Sequence, residues 1–123
     1  MEVFDWFQQL SHETRLRMVS LLDENELCVC ELEEILSIKQ VNISKHLNKL
    51  KKAGIVFSRR EKQRVFYYLS EAFAKEPAWL EIIRLNRQKH PVLKKDYGRL
   101  MEHEKTKDNN IYVCNVFKKE SLS

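Results

Sequence analysis

Glycine and proline are almost missing from this chain, with two of each in 123 residues. Architectures made of many strands and tight turns need more of both, so a mainly helical protein of one core is expected. No stretch offers the ~20 consecutive apolar residues of a membrane-spanning helix, and no membrane partner is expected. The opening residues, MEVFDWFQQL, lack the basic start and small-residue cleavage site of a secretory signal, which predicts a cytoplasmic protein. Cysteine numbers only three, Cys28, Cys30 and Cys114. So small and odd a set argues against a disulfide scaffold and predicts reduced thiols.

Charge is abundant and unevenly placed. The net charge of +4 conceals nine acidic and two basic side chains in residues 1–38, against nine basic and one acidic in residues 39–64. Positive charge concentrated in so short a segment is what a polyanion-binding surface requires.

Apolar periodicity divides the chain into elements. Val3, Phe4, Phe7 and Leu10 recur at helical spacing, leaving Trp6 off the stripe as a partly exposed residue or a subunit contact. Ser11 then stands as N-cap of a second helix that Leu16, Val19, Leu21 and Leu22 would bury. Leu32, Ile35 and Leu36 mark a third helix. Ser37–Gln40 turns into a fourth, which carries Ile43, Leu47 and Leu50 on its buried face and stops at Gly54. Two helices joined by about four residues fit a helix-turn-helix. Off the apolar stripe, the second presents Gln40, Asn42, Ser44, Lys45, His46 and Lys49. Gln and Asn suit adenine edges, Lys suits guanine or phosphate, and Ser suits phosphate, so the expected partner is double-stranded DNA.

Beyond Gly54 the period becomes alternating. Ile55–Ser58 and Val65–Leu69 flank a polar hairpin in which Arg59, Arg60, Lys62 and Arg64 are cationic, which predicts a two-stranded wing lying along a phosphate backbone. A solvated hairpin tip is the bland alternative. From Ser70 a helical region follows, with Trp79, Ile82, Ile83 and Leu85 apolar, a break at Pro91, and a second section through Leu100 and Met101. An apolar helix added to a core already complete suggests homodimerisation, which palindromic DNA half-sites also call for. Residues 1–103 are thus expected to form a winged helix-turn-helix domain with terminal dimerisation helices. Residues 104–123 are expected to form a polar tail carrying Cys114.

Cys28-Val29-Cys30 places two thiols at i and i+2. In an extended or half-wound segment they point the same way, roughly 6–7 Å apart, whereas in a regular helix they lie on nearly opposite sides. One soft ion is clamped by both only where the helix start is irregular or deforms. A helix beginning near Cys30 would also favour the thiolate through its amide dipole. Buried cysteine often merely fills space, but two beside Glu26 and Glu31 suit ligation. Thiolate softness admits trivalent arsenic or antimony, and also cadmium, lead, zinc or copper(I). Cys114 is the other thiol that could complete such a site. His90 and His103 read as surface histidines, and His12 and His46 have no ligand partner in the sequence. A thiol oxidoreductase would need a βαβ pattern that is not there, so no enzyme is expected. A DNA-binding protein whose thiols respond to oxidation is the other alternative.

ELCVCEL, then SKHLNKLKKAGIV, then a basic wing ending in VFYYLS resemble the ArsR/SmtB family of metal-responsive winged-helix repressors, and within it the arsenical-resistance repressors, over about residues 2–90. The resemblance implies a homodimer that holds an imperfect palindromic operator without a cofactor and releases it when a thiophilic inducer, As(III) or Sb(III), binds Cys28 and Cys30. Where arsenic-sensing relatives often carry a third cysteine, this chain has Glu33.

Overall fold

A computed structural model describes residues 3–108. Seven helices and three strands follow in the order α1 (Val3–Leu10), α2 (Glu13–Leu22), β1 (Leu27–Cys28), α3 (Val29–Leu36), α4 (Gln40–Lys52), β2 (Val56–Glu61), β3 (Arg64–Leu69), α5 (Glu71–Ala74), α6 (Pro77–Lys89) and α7 (Pro91–Asp108). This is a winged helix-turn-helix, mainly helical as its composition predicts. Among the described residues no helix is long and apolar enough to cross a membrane.

The core forms where helical stripes converge. Met18, Val19, Leu21 and Leu22 of α2 meet Leu32, Ile35 and Leu36 of α3 and Ile43, Leu47 and Leu50 of α4, all buried. Ser37 takes a left-handed conformation (φ 58°) that ends α3 and swings the chain toward α4. Gly54, at φ 74°, ends the segment after α4, where a side chain would be strained.

The first helix inverts its sequence reading. Trp6 is the buried residue, at 8% exposure, while Phe4 and Phe7 stand 78% and 60% exposed. The indole wins the inward position because its Nε1–H donates to the Ala53 carbonyl at 3.0 Å and its ring meets Phe73 and Trp79 edge-on. A large ring with a satisfied polar atom gains more from burial than Phe4 or Phe7 would at the same place. The cap of α2 also differs, since His12 Nδ1, not Ser11, accepts the Thr14 N–H. Ser11 instead donates to the Gln8 carbonyl.

The wing is longer and wider than expected. The turn shrinks to Lys62-Gln63, with Lys62 at φ 58°, so Arg59, Arg60 and Arg64 belong to the strands. Glu61 pairs with Arg64 and Val56 with Leu69. β1 adds a third strand on the far side of β3, with Leu27 opposite Tyr67 and Cys28 opposite Phe66.

Pro91 breaks the terminal helical region as expected, leaving His90 between α6 and α7. These helices do not simply await a partner. Asp23, buried, receives Arg84 and Arg87 of α6 at 2.8–3.1 Å. Asp96 of α7 receives a two-pronged contact from Arg17 at 2.8 and 3.0 Å. Arg99 reaches the Ser37 hydroxyl and the Glu34 carbonyl. Leu80, Ile83, Leu93 and Leu100 complete the packing on this chain, while Ile82 and Leu85 stay exposed. The α7 helix runs five residues past the expected end of the domain at 103.

Candidate functional site

Cys28 closes a strand and opens a helix. Its backbone is extended (φ −89°, ψ 169°) as it pairs with Phe66, and Val29 is the first helical residue. Cys28 therefore takes a strand-like direction while Cys30 takes that of a first helical turn, and their sulfurs converge to 3.4 Å. The irregular start that two-sulfur ligation demands is built into the fold, and no deformation is needed to create it. The pair is buried against Phe66, and Arg64 Nη2 donates to Cys28 Sγ at 3.3 Å.

The donor geometry suits a soft ion. Sulfurs each ~2.3 Å from one centre, with an angle of about 90–110° between them, lie ~3.3–3.8 Å apart. The observed 3.4 Å falls at the narrow, pyramidal end of that range. Cys28 is a free thiol. Cys114 lies outside the described residues. Among those described, no group of three or more His, Cys, Asp or Glu side chains is arranged to hold a metal.

Electrostatics at the junction also differ from expectation. Burial pushes the Cys28 thiol up and the Glu31 charge adds to this, against the opposing effects of its hydrogen bond with Glu31 and of Arg64. The helix start therefore does not make a ready thiolate. Glu31, fully buried, accepts the Cys28 N–H at 3.0 Å. Burial alone would raise its carboxyl. The His103 hydrogen bond, the Cys28 amide and Lys107 outweigh that and bring it down to about 2.

His103 corrects the reading of a surface histidine, since it is buried with Nε2 2.6 Å from Glu31 Oε2, while His90 is exposed as expected. Lys107 Nζ reaches the same carboxylate at 3.1 Å. A signal for this was present in the sequence: Asp96 and His103 fall in register with Leu93 and Leu100 on the buried stripe of α7. A polar residue on an apolar stripe needs a partner.

The candidate DNA face divides. On α4, Gln40, Asn42, Lys45 and Lys49 are exposed and Ser44 is half-buried. His46 turns inward, with Nδ1 3.2 Å from Arg15 Nη1 and its ring 4.6 Å from that of His12. Burial, followed by the His12, Arg15 and Lys49 charges, lowers its pKa. Val41, absent from the sequence reading, is exposed in the first turn of α4, where an apolar group can meet a thymine methyl. On the wing, Arg60 and Lys62 are exposed. Arg59 is held by Glu26 at 2.8 Å and Glu61 at 3.1 Å, and Arg64 is turned back to the cysteines. Ten side chains chosen for one surface thus serve several.

Comparison with known proteins bears on this arrangement. The model of the arsR family of bacterial regulatory proteins matches residues 12–58. The chain is 43% identical over 76 residues to the arsenic resistance transcriptional regulator ArsR1 of Pseudomonas putida, covering 61% of this chain and 57% of that protein. It is 41% identical over 68 residues to the cadmium resistance transcriptional regulatory protein CadC of Listeria innocua, covering 54% of this chain and 57% of that one. The match thus spans less than two thirds of either curated relative. The crystal structure of the transcriptional repressor BigR from Xylella fastidiosa superposes with a TM-score of 0.58 at 34% identity, over 72% of this chain and 82% of that one. Each of these relatives is a regulator by name and none an enzyme. With the winged helix, the helix-turn-helix and the matched segment in agreement, the chain belongs to the ArsR family of bacterial regulatory proteins.

Proposed function

We propose that this protein is a cytoplasmic, homodimeric DNA-binding repressor that leaves its operator when a thiophilic species, foremost trivalent arsenic or antimony, binds Cys28 and Cys30. The observation that carries this reading is the 3.4 Å approach of two sulfurs at the junction of β1 and α3. The junction touches both halves of the DNA face. α3 packs on α4, and Cys28 is paired through Phe66 to the wing strand β3. An ion bound in place of the sulfur–sulfur and Arg64–sulfur contacts would alter the hold of Cys28 on the wing strand β3 and of Cys30 on the start of α3 together. By linkage, operator and inducer then weaken each other's binding equally.

In this reading Gln40, Asn42, Ser44, Lys45 and Lys49 face the major groove, and Arg60 and Lys62 meet phosphates. His46, Arg59 and Arg64 serve inside the chain. Cys114, from the same or the other subunit, completes the ligand set. The names of the relatives support both arsenic and cadmium as inducers.

A second reading has the same fold respond to thiol oxidation, and the close approach of the Cys28 and Cys30 sulfurs favours it. Duplex binding under a thiol-free reductant separates the two. Release by arsenite, antimonite or cadmium supports the ion reading, and release by peroxide alone in the absence of reductant supports oxidation. Absence of DNA binding even at low salt overturns both.

A further inference from the structure

The helix that leads into α4 has a weak C-terminus of its own. The last turn of α3 carries Glu33 and Glu34 and no basic side chain, so its own charges oppose the negative end of the helix dipole. Ser37 then takes the left-handed conformation, φ 58°, which residues other than glycine rarely hold without support. Only Ile38 and Lys39 separate Ser37 from α4, and Lys39 supplies no side-chain cap. The conformation of Ser37 therefore sets the direction in which α4 leaves.

Support comes from outside the helix-turn-helix. Arg99 of α7 donates from Nη1 to Ser37 Oγ at 2.8 Å and from Nη2 to the Glu34 carbonyl at 2.7 Å. Arg17 of α2 reaches the Leu36 carbonyl at 3.4 Å, and Asp96, one turn before Arg99 on α7, holds the same guanidinium. The Ser37 N–H donates to the Glu33 carbonyl at 2.9 Å. Carbonyls that the last turn of a helix leaves without partners are thus met, two of them by guanidiniums, whose charge offsets that of Glu33 and Glu34. Arg99 grips both the helix end and the left-handed residue.

We infer that Arg99 is a positioning residue for DNA recognition: its fork, fixed on Ser37 Oγ and the Glu34 carbonyl, holds the turn between α3 and α4 and so the angle at which α4 enters the major groove. This rests on the reading of α4 as the recognition helix. Arg99 touches neither base nor phosphate in this role. Hydrogen bonds to base edges need tight placement of side chains such as Gln40 and Asn42, whereas attraction to phosphates tolerates a tilted helix. Losing Arg99 therefore lowers affinity for the preferred sequence more than affinity for DNA in general.

The test uses the reduced full-length protein and two labelled duplexes of equal length, one enriched by the wild-type protein from a random-sequence pool and the other a scramble of it. Fluorescence anisotropy reads Kd over a salt series. Arg99→Ala is expected to weaken binding to the enriched duplex by about fivefold, the scale of one net hydrogen bond, and to leave scramble binding and the salt slope unchanged. In a Ser37→Gly background, where glycine holds the left-handed conformation unaided, the same substitution is expected to cost no more than about twofold. Should Arg99→Ala fail to fold, Arg99→Lys, which can keep one of the two contacts, reads the same ratio. Equal weakening on both duplexes, or a salt slope flattened by about 1, makes Arg99 a phosphate contact and overturns the inference alone. So does an unchanged ratio, or a loss undiminished in Ser37→Gly. Wild-type protein that enriches no sequence, or whose discrimination survives Gln40→Ala with Asn42→Ala, overturns the reading of α4 and this inference with it.

Discussion

His103 Nε2 stands 2.6 Å from Glu31 Oε2, joining the C-terminal part of α7 to the first turn of α3 across 72 positions of sequence. Both side chains are buried, and Glu31 in turn holds the Cys28 amide. The terminal helix therefore supports the thiol pair from behind. Removing one member of a buried pair leaves the other desolvated and costs several kcal/mol. Because Lys107 still reaches Glu31, His103→Ala is expected to destabilise the fold by about 2–3 kcal/mol and to speed hydrogen exchange at the Cys28 amide. A thermal unfolding curve matching wild type would show that Lys107 suffices.

Cys28→Ser preserves the extended backbone at the strand end and removes one soft donor. Operator affinity of the reduced apo-protein should stay within about twofold, while arsenite no longer releases the DNA. A gel-shift titration reads both quantities. Loss of DNA affinity before any inducer is added would make Cys28 a packing residue.

On the wing, Arg60 and Lys62 are exposed while Arg59 is tied to Glu26 and Glu61. Replacing Arg60 and Lys62 together by Ala should weaken binding to all sequences and flatten the dependence of log K on log salt by up to ~2. Arg59→Ala should flatten it less. If Arg59→Ala has the larger effect, its ion pairs must exchange for phosphates on binding.

Phe4 and Phe7 leave a large apolar face on α1, and Ile82 and Leu85 leave another on α6. Patches of this kind mark interfaces. Phe4→Ser with Phe7→Ser should weaken a homodimer by at least about tenfold, read by sedimentation over a concentration series, and should cost the monomer about 1 kcal/mol through the lost edge contact of Phe7 with Trp79. An unaltered dimer would move the interface to other residues.

Acid should weaken the fold through Asp23 and Glu31. Burial raises the Asp23 carboxyl, but hydrogen bonds and charges from Arg84 and Arg87 outweigh it and hold the pKa below the ordinary 3.8. A carboxyl depressed in the folded state contributes its stability in full above its unfolded pKa and loses it as pH falls through the folded value. Melting temperature is therefore expected to hold down to about pH 4 and then fall. Asp23→Asn should lower stability at pH 7 and make the decline below pH 4 shallower, with Glu31 supplying what remains. An acid limb of unchanged slope would mean that Asp23 contributes little.

What the sequence by itself determined is what depends on near neighbours. Ile43, Leu47 and Leu50 lie one helical turn apart, Gly54 ends their segment, and the alternation from Val56 to Leu69 makes a hairpin whatever surrounds it. The motifs of the helix-turn-helix were legible for the same reason. Only the tertiary structure decided which apolar face of α1 turns inward, because Trp6 is selected by the Ala53 carbonyl 47 residues away. It also decided that Asp96 and His103 are buried, since their partners Arg17 and Glu31 lie on α2 and α3. The thiol pair shows the division most plainly. Its residues and spacing are local, but the 3.4 Å approach exists because β1 pairs with β3, which holds Cys28 extended while Cys30 begins a helix and sets Arg64 beside the sulfur. Spacing along a chain limits where two side chains can meet, and pairing between distant strands chooses among those possibilities.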